Sequence, residues 1–150
     1  MRLFIFSVAV LGAVSLFAYG AEAAVVGECD PYVSVTNLSE PWETYSRTYA
    51  DGAIRVAEAY VSPTAAAGAA IVVLHPNGGV EDYEMFRICT AIYAGPGPTF
   101  FAEAMISEAT AAYDPSAGLT ISVPVRFPDG NLSQIVTFSV NQATGTVTLQ

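Results

Sequence analysis

Hydrophobic positions follow two different rules along this chain. Residues 3–17 form one nearly continuous apolar stretch, whereas from Tyr45 onward apolar residues come in short alternating or β-branched runs separated by turn residues. The second regime predicts strands. Residues 45–50 and 53–60 flank Asp51-Gly52, a dipeptide suited to a two-residue type I′ turn because both of its positions need positive φ. Counting outward from that turn pairs Tyr49 with Ile54, Thr48 with Arg55 and Arg47 with Val56, and leaves Arg47 diagonal to Glu58 for a surface ion pair. Residues 69–75 are a continuous β-branched run of the kind that suits a strand buried on both faces, and residues 83–93 form a second apolar run.

The remaining third repeats the theme. Turn clusters at 114–118, 128–131 and 141–145 separate strand-like stretches at 119–127, 132–140 and 146–149, the spacing of an antiparallel meander. Pro124 cannot donate to a ladder, so its strand is expected to be an edge or to carry a bulge there. Residues 99–112 read differently: Phe101, Met105, Ala109 and Ala112 recur at helical spacing in an alanine-rich segment, which predicts a short helix over about 99–110, with a strand as the alternative. The fold expected is therefore mainly β, an antiparallel β-sandwich or curled sheet built from hairpins with at most one short helix; the alternative is α+β.

The apolar stretch at the start changes what counts as the domain. Arg2 precedes it, no charge occurs from residue 3 to 21, and Ala21-Glu22-Ala23 places small residues where a signal peptidase needs them. Residues 1–23 are thus expected to be a cleaved signal peptide and residues 24–150 a single exported domain, periplasmic or extracellular. The Glu28 that precedes Cys29 does not fit the small-residue site of a lipoprotein signal. No later apolar stretch is long enough to span a bilayer, so no membrane span is expected in the mature chain.

Charge then narrows the partners. The chain carries a formal net charge of −9, with five Lys plus Arg against 14 Asp plus Glu, and none of the five is lysine. A few scattered arginines cannot neutralise a row of phosphates, so nucleic acid is not an expected partner. The acidity is that of a solvated surface, which repels an anionic membrane and favours a soluble monomer. Export also gives meaning to the two cysteines. In an oxidising compartment Cys29 and Cys89 are expected to pair, and neither a Cys-x-x-Cys motif nor a second histidine points to a redox or catalytic thiol instead.

Few residues suggest chemistry. The run from Ile71 to Gly79, ending in His75-Pro76-Asn77-Gly78-Gly79, resembles the oxyanion-hole strand and loop of α/β-hydrolase esterases. That resemblance covers nine residues, departs at Pro76 and Asn77, and comes without a Gly-x-Ser-x-Gly elbow; it implies at most an extracytoplasmic hydrolase using His75. Glu81, Asp82 and Glu84 are the densest carboxylate group but match no cation-binding loop, and read as a solvated acidic turn. Trp42 and the tyrosines at 32, 45, 49, 60, 83, 93 and 113 could form a recognition face or fill strands and core. Asn37-Leu38-Ser39 and Asn131-Leu132-Ser133 match the glycosylation sequon. No zinc spacing, phosphate loop or dinucleotide fingerprint occurs, and no cofactor or metal is expected. The leading expectation is a non-enzymatic exported domain that binds a protein, envelope component or small ligand. The alternatives are the His75 hydrolase and a structural or assembly subunit.

Overall fold

The computed structural model describes residues 23–62, 65–78, 87–97, 99–130 and 133–150. Among the described residues ten strands, all paired antiparallel, form two sheets: β1 Val25–Glu28, β2 Ser46–Tyr49, β3 Ile54–Tyr60, β4 Ala69–Pro76, β5 Arg87–Tyr93, β6 Glu103–Ala104, β7 Thr110–Asp114, β8 Gly118–Arg126, β9 Ser133–Asn141 and β10 Thr146–Leu149. The first sheet has the order β1-β5-β4-β3-β2 and the second β10-β9-β8-β6, with β7 also paired to β8. The protein is mainly β, and among the described residues α-helix is confined to a single turn, α1, at Trp42–Tyr45. No helix among the described residues is long and apolar enough to cross a membrane.

Local chemistry accounts for most of this order. Asp51 (φ 52°, ψ 34°) and Gly52 (φ 88°) take the positive φ that the turn demands, and the Ala53 N–H closes it on the Ala50 carbonyl at 3.0 Å. The hairpin register is the one the turn dictates: Tyr49 faces Ile54, Thr48 faces Arg55 and Arg47 faces Val56. β4 is buried on both faces, as its unbroken β-branched run requires. Ile71 and Val73 look into the core between the sheets, where they meet Ile54 and Val56 of β3, Ile92 of β5, and Ile121, Val123, Phe138 and Val140 of the second sheet. Phe101 and Phe127 close that core edge to face, ring centroids 5.2 Å apart. Val72 and Ala70 look the other way, into a smaller cluster with Cys29, Ala59, Ala91 and Tyr93.

Three expectations are corrected. The segment 99–112 is extended rather than helical: β6, a 3₁₀ turn at Ile106–Glu108 and β7 follow one another along one side of β8. That side of β8 offers main-chain acceptors, which the N–H groups of Ala102 and Met105 take at Arg126 O and Pro124 O. Sheet pairing overrides a helical spacing too short to be stable by itself, and the residues driven inward are Phe101, Ala104 and Ile106. Pro124, in turn, sits in the middle of the second sheet opposite Ile135. Its carbonyl accepts from Met105, so its nitrogen faces the same side, where the 3₁₀ turn interrupts the neighbouring strand and no donor is missed. Finally, Arg47 does not pair with Glu58. Its guanidinium donates to the Ser107 carbonyl at 2.6 Å, while Glu58 turns inward. The apolar run expected at 83–93 appears as β5 from Arg87; residues 83–86 lie outside the described residues.

Candidate functional site

Two recesses flank the first sheet. The larger begins with the segment that follows β1. Tyr32 and Val33 both donate their N–H groups to the Cys29 carbonyl, at 2.9 and 2.8 Å, which turns the chain back over the outer face of the sheet. The Asn37 side chain holds the next turn, accepting from Ser34 N and donating to Tyr32 O, each at 2.9 Å. Beyond it Leu38 bridges to Ala59, and Ser39 N donates to Glu58 O at 2.9 Å. At the other end Cys29 and Cys89 stand at disulfide distance, with Cα atoms 5.7 Å apart. The segment is therefore tied to the sheet at both ends and stands off it in between.

The space left is a cavity of about 520 Å³. Val33, Val35 and Leu38 form its outer wall, and Val72 and Leu74 its floor, with Ile88 and the cysteine pair bordering one end and Asp30 and Ser34 as polar groups. Val35 is 83% exposed, an apolar side chain at the mouth with nothing packed over it. Beside the cavity Tyr32, Tyr93 and Phe100 meet edge to face at 5.8 to 6.3 Å, and the Tyr93 hydroxyl donates to Glu28 O at 2.7 Å. Burial pushes the Tyr93 phenol up, with Tyr32 adding to the rise.

The smaller recess, about 350 Å³, opens between the two sheets beside Tyr45 and Tyr60. Glu58 forms its floor and is 5% exposed. Its carboxylate accepts from Ser39 Oγ at 2.8 Å and from Ala104 N at 3.0 Å. Burial raises the Glu58 pKa, the two hydrogen bonds oppose that, and nearby Glu103 adds to the rise. Glu103 itself is ion-paired with Arg126. The surface pairing expected with Arg47 would have left Glu58 in solvent. The signal that would have placed it inside was the alternation Ile54, Val56, Glu58, three positions on one strand face.

The other candidates are scattered. His75 is buried between the sheets; Nδ1 donates to Pro76 O at 3.0 Å and Nε2 meets Thr90 Oγ1 at 2.9 Å. A hydrolase would need this histidine against a serine or carboxylate in a cleft, and it borders neither recess. The aromatic residues do not share one face: Trp42 stacks on the Arg55 guanidinium, 5.6 Å from the ring centroid, Tyr49 packs against the main core, and Tyr113 stands alone at 74% exposure. Glu81, Asp82, Glu84, Tyr83 and Asn131 lie outside the described residues. Among the described residues no group of three or more His, Cys, Asp or Glu side chains could hold a metal ion.

The fold and this cavity define a class, a two-sheet β domain with an apolar recess beneath a cysteine-anchored segment. Comparison with protein-family models, with curated proteins and with solved structures finds no match.

Proposed function

We propose that the protein is an exported, non-enzymatic binding domain that takes a small apolar ligand, or the apolar part of an envelope component, in the cavity behind the first sheet. The observation that carries this reading is the cavity itself. At about 520 Å³ it falls in the size range of small-molecule sites, and its wall and floor are aliphatic with a few polar groups at the margin. A domain of this size buries such side chains where it can, and Leu74 and Val35 are left facing the recess instead. The export part of the proposal rests on the apolar leader at residues 3–17, and a cysteine pair at disulfide distance is compatible with it.

Two measurements test the reading. N-terminal sequencing of the secreted or periplasmic protein should start at Ala24, and a product retaining residues 1–23 would overturn the signal peptide. Titration with the apolar fluorophore N-phenyl-1-naphthylamine should give a saturable rise in emission, which Leu74→Trp, a cavity-filling change, reduces at least tenfold in affinity while the far-ultraviolet spectrum stays unchanged. Absence of saturable binding, or binding indifferent to Leu74→Trp, would remove the cavity from consideration.

A further inference from the structure

β7, Thr110–Asp114, differs from every other strand in the second sheet: all five of its residues are exposed. Its partner β8 directs the main chain of even-numbered residues toward this side, as the bonds accepted at Pro124 and Arg126 show. Thr110, Ala112 and Asp114, opposite Ser122, Thr120 and Gly118, therefore make the ladder bonds to β8. Ala111 and Tyr113 turn their N–H and C=O groups outward, and no hydrogen bond reaches those groups. Three of the usual protections of a free edge are missing, since the strand has no lysine, no proline and no inward charge. Its inner face is also bare. Ala111 and Tyr113 lie on the same sheet face as Ile121 and Leu119, their cross-strand partners, yet Ile121 is wholly buried while Tyr113 is 74% exposed. Tyr113 borders an open recess that reaches Ala50 of the β2–β3 turn, so a core-side tyrosine is left without a core packed over it.

We propose that β7 is a dimerisation edge at which a second copy of this chain adds antiparallel, centred on Ala112. That register is self-complementary in three ways. The outward main-chain groups of Ala111 meet those of Tyr113 in the other copy, so four interchain hydrogen bonds form and no outward group is left over. Tyr113 lies across from Ala111 of the second copy, a large side chain against a small one on the uncovered face. Asp114 lies across from a Thr110 hydroxyl, so no like charges oppose each other in a chain of net charge −9. A parallel pairing would instead stack the two Asp114 carboxylates. The interface is small, so the dimer is reversible, and because two acidic copies repel, salt strengthens it.

Sedimentation of the exported protein over a concentration series should show a monomer–dimer equilibrium that shifts toward dimer at high salt. Ala111→Pro removes an outward N–H without touching the β7–β8 ladder and should weaken association at least tenfold. Ala112→Cys should cross-link to its copy under dioxygen and a copper catalyst, because the two copies of residue 112 face each other directly; Thr110→Cys should not. A protein that stays monomeric throughout the series at both salt levels overturns the proposal. So does a dimer that ignores Ala111→Pro, or one that cross-links as readily at position 110 as at 112.

Discussion

The Glu58 carboxylate on β3 accepts the main-chain N–H of Ala104 on β6 at 3.0 Å, so a side chain of one sheet satisfies a donor that the other sheet's own ladder leaves free. Its second oxygen takes the Ser39 hydroxyl at 2.8 Å, which fastens the end of the cavity wall to the same strand. One buried acid therefore ties together both sheets and the segment over the cavity. Among the described residues no arginine bonds to it, since Arg126 is paired with Glu103 and Arg47 with the Ser107 carbonyl.

Removing that acceptor has a cost with a defined origin. Glu58→Ala leaves the Ala104 N–H and the Ser39 hydroxyl without their partner, and a buried polar group left unsatisfied costs about 1–3 kcal/mol. Urea denaturation at neutral pH should show a loss of that size. A variant as stable as the parent would mean that water replaces the carboxylate at no cost.

The pH dependence runs the other way from that of a salt-bridged acid. Because burial raises the Glu58 pKa above its ordinary 4.5, the folded state favours the protonated form. The increment that the raised pKa adds to stability is then fully present below pH 4.5 and is lost as pH rises through the raised folded value, which leaves the two hydrogen bonds as the contribution of Glu58 at neutral pH. Glu58→Gln keeps an acceptor and stays neutral, so its stability relative to the parent should improve steadily from acid to neutral pH. Paired denaturation curves across that range check this, and a difference that does not change with pH would contradict it.

Much of the scaffold was legible in the chain because it is written in local signals. Asp51-Gly52 dictates a turn, the turn dictates the Tyr49–Ile54 register, and the β-branched run of β4 dictates burial on both faces. What was illegible depends on groups far apart in sequence. Residues 99–112 became strand because β8 had free acceptors beside them, and Pro124 fits a central strand because a 3₁₀ turn happens to lie opposite its nitrogen. The cavity was hidden for the same reason. Its wall, between Cys29 and Leu38, has no periodicity of its own and is shaped by the Asn37 side chain and by its two anchors. The cysteine spacing announced the anchor without announcing the space beneath it.

That anchor should account for a large part of the stability. A cross-link spanning 60 residues of chain is worth about 4 kcal/mol in the chain-entropy model. Cys29→Ser with Cys89→Ser should lower the urea midpoint accordingly, and intact mass before and after reduction of the parent should differ by two hydrogens. Free thiols at both positions in the exported protein would refute the pairing.

Two glycines test whether the ends of the sheets touch. A Cβ on Gly145 (φ 65°) would lie 2.7 Å from Gly78 N, whereas one on Gly97 (φ 72°) would meet nothing within 4 Å. Both substitutions by alanine incur the left-handed backbone penalty of about 1–2 kcal/mol. Only Gly145→Ala also forces the turn between β9 and β10 away from the end of β4, which adds a cost of about 1–3 kcal/mol for overpacking. The melting temperature should therefore fall further for Gly145→Ala than for Gly97→Ala. Equal losses would show that the two turns are free to separate.

His75 and Thr90 allow a sharper separation of structure from ligand binding. The Pro76 carbonyl can only accept, so the His75 Nδ1 carries a proton, and in the neutral ring Nε2 accepts from the Thr90 hydroxyl at 2.9 Å. His75→Leu strands that hydroxyl and Thr90→Val strands the ring nitrogen, each at about 1–3 kcal/mol, while the double variant removes both halves together and should recover part of the loss. Losses that simply add would show that the bond contributes nothing. His75 points into the core between the sheets, on the opposite face of β4 from Val72 and Leu74 in the cavity floor. All three variants should therefore bind N-phenyl-1-naphthylamine as the parent does under conditions where they remain folded. A loss of dye binding that outruns the loss of stability would instead make the inner face of β4 part of the site.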